Sequence, residues 1–185
     1  MENLIKELEK EILYHNPSFR NLLGTGLSKD EIDLHLNKLP FKISDDIYYL
    51  YEWINGTDYK AEILPSGYLL SLEEAVNQFE TIYAMKEELQ EIFYEQYFDC
   101  FRFLSDMSDS GYSFGSLEPP CNGQIIGLGI HHNSEIAFKN LSDLLETAII
   151  CYQRGVYRKD DIHDFELYFK IGKELNPDLK YWSWE

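Results

Sequence analysis

Apolar residues recur at spacings of three and four in six parts of the chain, and this period predicts helices. Two helix starts carry a capping-box pattern, in which a serine is followed three residues later by a glutamate: Ser28 with Glu31, and Ser71 with Glu74. A proline after the first helix and Asn-Gly at 55–56 are typical helix stops. The predicted helices cover residues 2–14, 28–38, 44–54, 72–95 and 161–175, and a further helix starts at Asn140 or Ser142 and can be stopped by Gly155.

The middle of the chain changes to short β-prone segments that are separated by turn residues. The predicted strands cover residues 68–70, 100–104, 111–115, 124–128 and 135–138. Helices first, strands in the centre and helices last predict an α+β fold, with a central and mainly antiparallel sheet flanked by N- and C-terminal helices. A length of 185 residues suits one domain with a full core.

Five short segments follow one another along the chain: Leu39-Pro40, Asn55-Gly56, 69–75, 103–111 and 138–145. Taken in this order, they resemble the SUKH superfamily of yeast cell-wall-assembly regulators and bacterial immunity proteins against polymorphic toxins. The resemblance covers about residues 24–152. We expect a single SUKH-like domain over 1–185, in which 156–185 form a C-terminal helical extension that has no counterpart in the family. The segment 117–123 departs from the family pattern.

Charge is the strongest compositional feature, because 16 basic residues stand against 33 acidic ones and leave a formal net charge of −17. Nucleic acid and anionic membranes repel such a chain, so neither is expected as a direct partner. The negative charge would steer a basic protein toward this chain, although a role in solubility alone would also account for the excess of acidic residues. Eight carboxylates and one lysine lie between residues 73 and 99, which concentrates the charge on the predicted helix 72–95.

The chain shows no export or membrane signal, since it lacks a basic start with an apolar block and any apolar run of about 18 residues. Its three cysteines, Cys100, Cys121 and Cys151, form no paired motif. They are expected to be reduced and mostly buried thiols of a cytoplasmic protein.

Four short patterns resemble ligand-binding motifs without completing them. The His pair 131–132 lacks the one-turn spacing of zinc-protease ligands, and the segment 106–111 lacks the glutamate at position twelve of a calcium loop. The glycine pairs in 24–26 and 127–129 lack the rest of a phosphate loop, so they are interpreted as turn or close-packing glycines. We predict no catalytic residue, cofactor or metal. An uncharacterised hydrolase is the third interpretation, after a protein-binding immunity protein and a regulatory protein.

Aromatic residues are abundant and suit protein interfaces. Tyr48, Tyr49 and Tyr51 cannot all face one core from a single helix, so at least one is expected at the surface. Trp53 is expected to be buried beside the helix stop. The aromatic C-terminus 181–184 is expected to fold back over its own domain, with a docking peptide as the alternative.

By resemblance, the chain is expected to neutralise a bacterial toxin by stoichiometric binding, and a basic nuclease domain is the partner that its charge suits. The alternative is an intracellular regulatory or scaffold protein with no toxin partner. An apolar stripe on the helix 72–95 should face the core and leave the acid outside; it comprises Leu72, Ala75, Phe79, Ile82, Met85, Leu89 and Ile92. The expected partner-binding residues are Glu80, Glu87, Glu91, Asp106, Asp109 and Tyr112.

Overall fold

A computed structural model describes residues 1–21, 23, 25–57, 61, 63–64, 67–84, 99–105, 111–129, 132–157 and 164–183, without the side chains of 128–129 and 132–133. Six α-helices lie in these ranges: α1 Glu2–His15, α2 Lys29–Leu36, α3 Asp46–Trp53, α4 Leu72–Ala84, α5 Leu141–Gln153 and α6 Phe165–Leu175. Two short 3-10 helices cover Pro17–Asn21 and Lys180–Trp182. Each helix in this part of the chain is too short or too polar to cross a lipid bilayer.

A five-stranded sheet follows the chain order and is antiparallel at every pairing. Its strands are β1 Tyr68–Leu69, β2 Cys100–Ser105, β3 Gly111–Gly115, β4 Ile125–Gly129 and β5 His132–Phe138. The connections between β2, β3, β4 and β5 are short, as neighbouring antiparallel strands allow, whereas α4 lies between β1 and β2 in the chain. The α+β class and the antiparallel sheet are therefore confirmed.

The helix starts form where the sequence places capping residues. At α2, the amide of Glu31 donates to Ser28 Oγ at 3.4 Å, and the amide of Ser28 donates to Glu31 Oε2 at 2.8 Å. Asn140 caps α5, since its Oδ1 accepts a 3.0 Å hydrogen bond from the amide of Asp143. These bonds satisfy amides that the first helical turn leaves without a partner. They confirm the predicted start at Ser28 and decide for Asn140, over Ser142, as the start of α5.

The residues Asn55-Gly56, which follow α3, also contact the start of α4. Gly56 has φ of +85°, and a Cβ on it would lie 2.7 Å from the amide nitrogen of Ser71, so only glycine fits. Asn55 Oδ1 accepts a 2.9 Å hydrogen bond from the amide of Leu72, the first residue of α4. Trp53 is buried, as predicted, and its Nε1 donates to Glu9 Oε1 at 3.1 Å.

One hydrophobic core extends from Ile5 near the start of the chain to Trp182 near its end. Helix α1 packs on α5, α4 packs on β2, and α6 packs on α5. The predicted C-terminal extension 156–185 therefore contributes to this core within its described residues. On α3, Tyr51 is buried while Tyr49 is 41% exposed, which confirms that the tyrosines there divide between core and surface.

The C-terminal aromatic segment folds back over the sheet, as predicted for 181–182. Trp182 is 1% exposed, and its Nε1 donates to the carbonyl oxygen of Ala137 in β5 at 2.7 Å. Two glycines make room for this segment: Gly127 lies under the ring of Tyr181 and Gly172 lies under the indole of Trp182. The close-packing interpretation of Gly127 is confirmed. Trp184 lies outside the described residues.

Candidate functional site

The buried face of α4 anchors the most acidic helix of the sequence to the core. Leu72, Ala75, Val76 and Phe79 are buried, and the helix packs on β2. This confirms the apolar stripe through Phe79 but not at Ile82, which is 43% exposed. The apolar period continues in the sequence beyond Phe79. Burial also requires another element to cover the side chain, and α4 extends beyond the contact between Phe79 and Phe41. Met85, Leu89 and Ile92 lie outside the described residues.

The opposite face of α4 carries carboxylates without a neighbouring cation on the same helix. Glu73 and Glu80 are exposed, and no lysine or arginine occurs from Leu72 to Ala84. We define the α4 surface as Glu73, Glu80 and Tyr83. Glu80 is exposed, and its role in partner binding stays a prediction.

Partly exposed apolar side chains lie at the C-terminal end of the α4 surface. The ring of Phe79 contacts Phe41 at a centroid distance of 5.3 Å and Tyr83 at 5.2 Å, and Tyr83 is 39% exposed. Leu117 is 48% exposed, and its amide donates to the carbonyl of Lys42, the residue after Phe41, at 2.8 Å. Aromatic and aliphatic side chains next to charges are typical of protein-binding surfaces.

The amino terminus of α4 is held in place by two sets of hydrogen bonds. The amide of Glu74 donates to Ser71 Oγ at 3.3 Å, and the amide of Ser71 donates to Glu74 Oε2 at 3.0 Å. The bond from Leu72 to Asn55 attaches the same turn to the end of α3. The carboxylate of Glu74 is therefore engaged in the capping box, whereas Glu73 and Glu80 point to solvent.

Replacing Ser71 with alanine should lower the free energy of unfolding by about 1 kcal/mol, because it removes the side-chain acceptor of the helix cap. Urea unfolding followed by circular dichroism would measure the change. Ser142→Ala is the matched control, since Ser142 lies in the first turn of α5 and no side-chain hydrogen bond of it is seen among the described residues. Equal losses for the two variants would mean that the Ser71 cap contributes nothing specific.

The other predicted partner-binding residues do not join the α4 surface. Glu87, Glu91, Asp106 and Asp109 lie outside the described residues. Tyr112 is described and is completely buried, so its side chain offers no surface to a partner. This corrects the prediction for Tyr112.

Packing between the sheet and α6 explains the burial of Tyr112. Its hydroxyl hydrogen-bonds with that of Tyr168 on α6, and its ring lies against Phe138 and Tyr181. Burial raises the pKa of the Tyr112 phenol well above its ordinary value. The alternation of side chains along a strand predicts that one side of β3 is buried. It does not predict that a later helix covers Tyr112.

Thiol chemistry is not favoured by the surroundings of the cysteines. Cys121 and Cys151 are buried and Cys100 is half-buried, and all three are free thiols, as predicted. Burial raises the pKa of Cys100 and of Cys151 to about 12, which keeps both in the less nucleophilic protonated form near neutral pH. Among the described residues, no three His, Cys, Asp or Glu side chains are grouped to hold a metal ion.

Stability should fall as the pH rises from about 9 to about 12, because the unfolded chain can ionise Cys151 while the folded chain cannot. The ordinary thiol pKa is 9.0 and the folded value is about 12, so below pH 9 both states keep the proton and the contribution is constant. Urea unfolding at pH 7.5 and at pH 10.5 would measure the loss. In Cys151→Ala the loss should be smaller, and an unchanged loss would contradict the assignment to Cys151.

Comparison of the sequence with protein-family models found no match, and comparison with curated proteins found none either. The resemblance to the SUKH superfamily thus rests on the short segments of the sequence and stays a prediction.

The apolar part of the candidate site was not predicted from the sequence. Ile82 continues the period of buried residues but is exposed, and nothing in the sequence places Leu117 beside Lys42. Exposure of these side chains depends on where the covering elements end.

Proposed function

We propose that this protein binds another protein stoichiometrically and acts as an immunity protein against a bacterial toxin. The observation that supports the proposal is the α4 surface, where exposed Glu73 and Glu80 share one helix face and partly exposed Tyr83 lies one turn from Glu80, on a helix with a buried inner face. The partner would be a basic protein domain, because the carboxylates attract cations and the whole chain has a net charge of −17.

A nuclease toxin is the partner that best matches this surface. An enzyme that binds nucleic acid presents lysine and arginine side chains to the phosphates. Glu73 and Glu80 would pair with those cations, while Tyr83, one turn from Glu80, would supply apolar contact area in the interface. Binding of this kind masks the active site without a cofactor or a chemical step.

The contacts that hold α4 in the fold favour binding with little conformational change. Ser71 and Glu74 hold its first turn, Asn55 attaches it to α3, and Phe79 packs against Phe41. A helix that is already ordered loses less conformational entropy when a partner docks. The exposed residues of α4 therefore meet the partner in a preset arrangement.

Capture of the partner from the source cell tests the proposal directly. The bait would be the tagged full chain, and a Glu73→Gln, Glu80→Gln, Tyr83→Ala variant would be run in parallel. We expect the unaltered chain to retain a basic protein that is toxic when expressed alone and harmless when both are present. Capture of a partner without toxic activity would refute the immunity function, and equal capture by both baits would refute the α4 surface.

Association with the captured partner should slow about three- to tenfold at low salt in a Glu73→Gln, Glu80→Gln variant, because electrostatic steering weakens. The difference should shrink at about 0.5 M salt, where charges are screened over a few ångströms. Stopped-flow kinetics would measure both rates, and the melting temperature should stay nearly unchanged because exposed carboxylates contribute little to folding.

The control for these kinetics removes the same charge elsewhere. Glu7→Gln, Glu146→Gln has the same net charge as the test variant, and both glutamates are exposed, on α1 and α5. If the control slows association as much as the test variant, net charge and not the α4 surface governs the encounter. If neither variant slows it, the acid serves solubility alone.

A further inference from the structure

A groove of about 690 Å³ lies along α6 next to the C-terminal 3-10 helix and shares no residue with the α4 surface. Its lining residues are Phe165, Glu166, Phe169, Lys170, Lys173 and Trp182. Half of these residues are aromatic: Phe165 is 58% exposed, Phe169 is half-buried, and Trp182 forms the floor. The volume is in the range of pockets that hold small organic molecules.

Two ammonium groups border this aromatic groove. Lys170 and Lys173 are exposed and lie one turn apart on α6, so their side chains emerge on neighbouring parts of one helix face. Neither makes an ion pair among the described residues. Lys170 also lies near Glu174, whose carboxyl pKa is lowered first by Arg154 and then by Lys170.

The charges of the lining limit the ligand to a single negative charge. Glu166 offsets one of the two lysines, so the rim has a net charge of +1, which matches a monoanion. Polyanions such as nucleic acids or phosphorylated molecules would be repelled by Glu166 and by the acidic chain as a whole. Phe165 and Phe169 would contact an apolar body next to the anionic group.

The floor of the groove is fixed before any ligand arrives. Trp182 is held by its hydrogen bond to Ala137 and fits against Gly172, where a Cβ would lie 2.2 Å from the indole Cε3. The ring of Phe169 lies 5.6 Å from that of Trp182 and 6.3 Å from that of Tyr181. Preformed apolar walls with few polar groups are characteristic of small-molecule sites.

We infer that the groove of α6 binds a small monocarboxylate with an aromatic body, whose carboxylate lies between Lys170 and Lys173 and whose ring packs on Phe165 and Phe169. This site is independent of the α4 surface and of the toxin that the α4 surface would bind.

Titration of the full chain with 1-naphthylacetate tests the inference, and 1-naphthylacetamide is the neutral probe of almost the same shape. Calorimetry should show saturable binding of one naphthylacetate per chain, with the amide at least about fivefold weaker because it cannot pair with the lysines. The indole N–H signal of Trp182 in a nitrogen–proton spectrum, assigned by its loss in Trp182→Phe, should shift with the same saturation. Absence of saturable binding, or equal binding of the amide, would overturn the inference.

A pair of charge variants locates the carboxylate. Lys170→Gln, Lys173→Gln should weaken naphthylacetate binding about fivefold or more and leave binding of the amide unchanged. The control is Lys38→Gln, Lys42→Gln, which removes two exposed lysines between α2 and α3. Equal weakening by the two variants would mean that net charge alone is responsible, and unaltered binding in the first would place the carboxylate elsewhere. Either result would overturn the inference.

Discussion

Replacing Trp182 with alanine is expected to lower the free energy of unfolding by about 3–5 kcal/mol, the range for removing a large buried aromatic side chain. The indole is 1% exposed and touches the rings of Phe138, Tyr168 and Phe169. Its loss also leaves the carbonyl of Ala137 without the 2.7 Å hydrogen bond from Nε1. Denaturation in guanidinium chloride would measure the change from the shift in midpoint.

The control for this variant replaces an aromatic residue that lies outside the core. Tyr14 is 78% exposed on α1, so Tyr14→Ala should change stability by no more than about 0.5 kcal/mol. A loss below about 1 kcal/mol in Trp182→Ala would show that the C-terminal segment is only loosely attached in solution. Such a result would also remove the floor of the α6 groove.

Gly172→Ala is expected to destabilise the protein by about 1–2 kcal/mol, although alanine is the better helix former. In the interior of α6, helix propensity alone would favour alanine by about 1 kcal/mol. The new methyl group would lie 2.2 Å from Cε3 and 2.3 Å from Cζ3 of Trp182, which is impossible without displacing the indole. Overpacking of a filled core costs about 1–3 kcal/mol, and the bond to Ala137 keeps Trp182 from moving freely.

The sign of the Gly172 effect should reverse when the indole is absent. In a Trp182→Ala background, Gly172→Ala no longer meets a ring, so helix propensity should dominate and stabilise by up to about 1 kcal/mol. A double-mutant cycle from four denaturation curves measures this coupling between the two residues. If Gly172→Ala destabilises equally in both backgrounds, contact with Trp182 is not the cause.

Local chemistry explains why the order of elements could be predicted. The predicted strand 111–115 agrees with β3 at both ends, and the capping boxes of Ser28 and Ser71 form as expected. Helix caps and short antiparallel strands depend on residues a few positions apart, so the sequence displays them directly. The helix end at Asn55-Gly56 could also be predicted from neighbouring residues, because the turn there requires a positive φ at Gly56.

The candidate site could be predicted only in part. Glu80 lies at the surface, since a charged residue opposite an apolar stripe has few alternatives. Ile82 was placed inside and is exposed, whereas Tyr112 was placed outside and is buried. Both errors concern apolar or amphipathic side chains, whose burial depends on which distant element covers them.

Taken alone, the sequence determined the α+β class, the antiparallel sheet, the helix starts and the acidic character of α4. Each of these follows from neighbouring residues, from hydrophobic period or from composition. The tertiary structure decided that α6 and the 3-10 helix Lys180–Trp182 cover the sheet, that Gly172 accommodates an indole, and that two lysines border an aromatic groove. These arrangements bring together residues that are far apart in the chain, and only the packing of the folded core specifies such contacts.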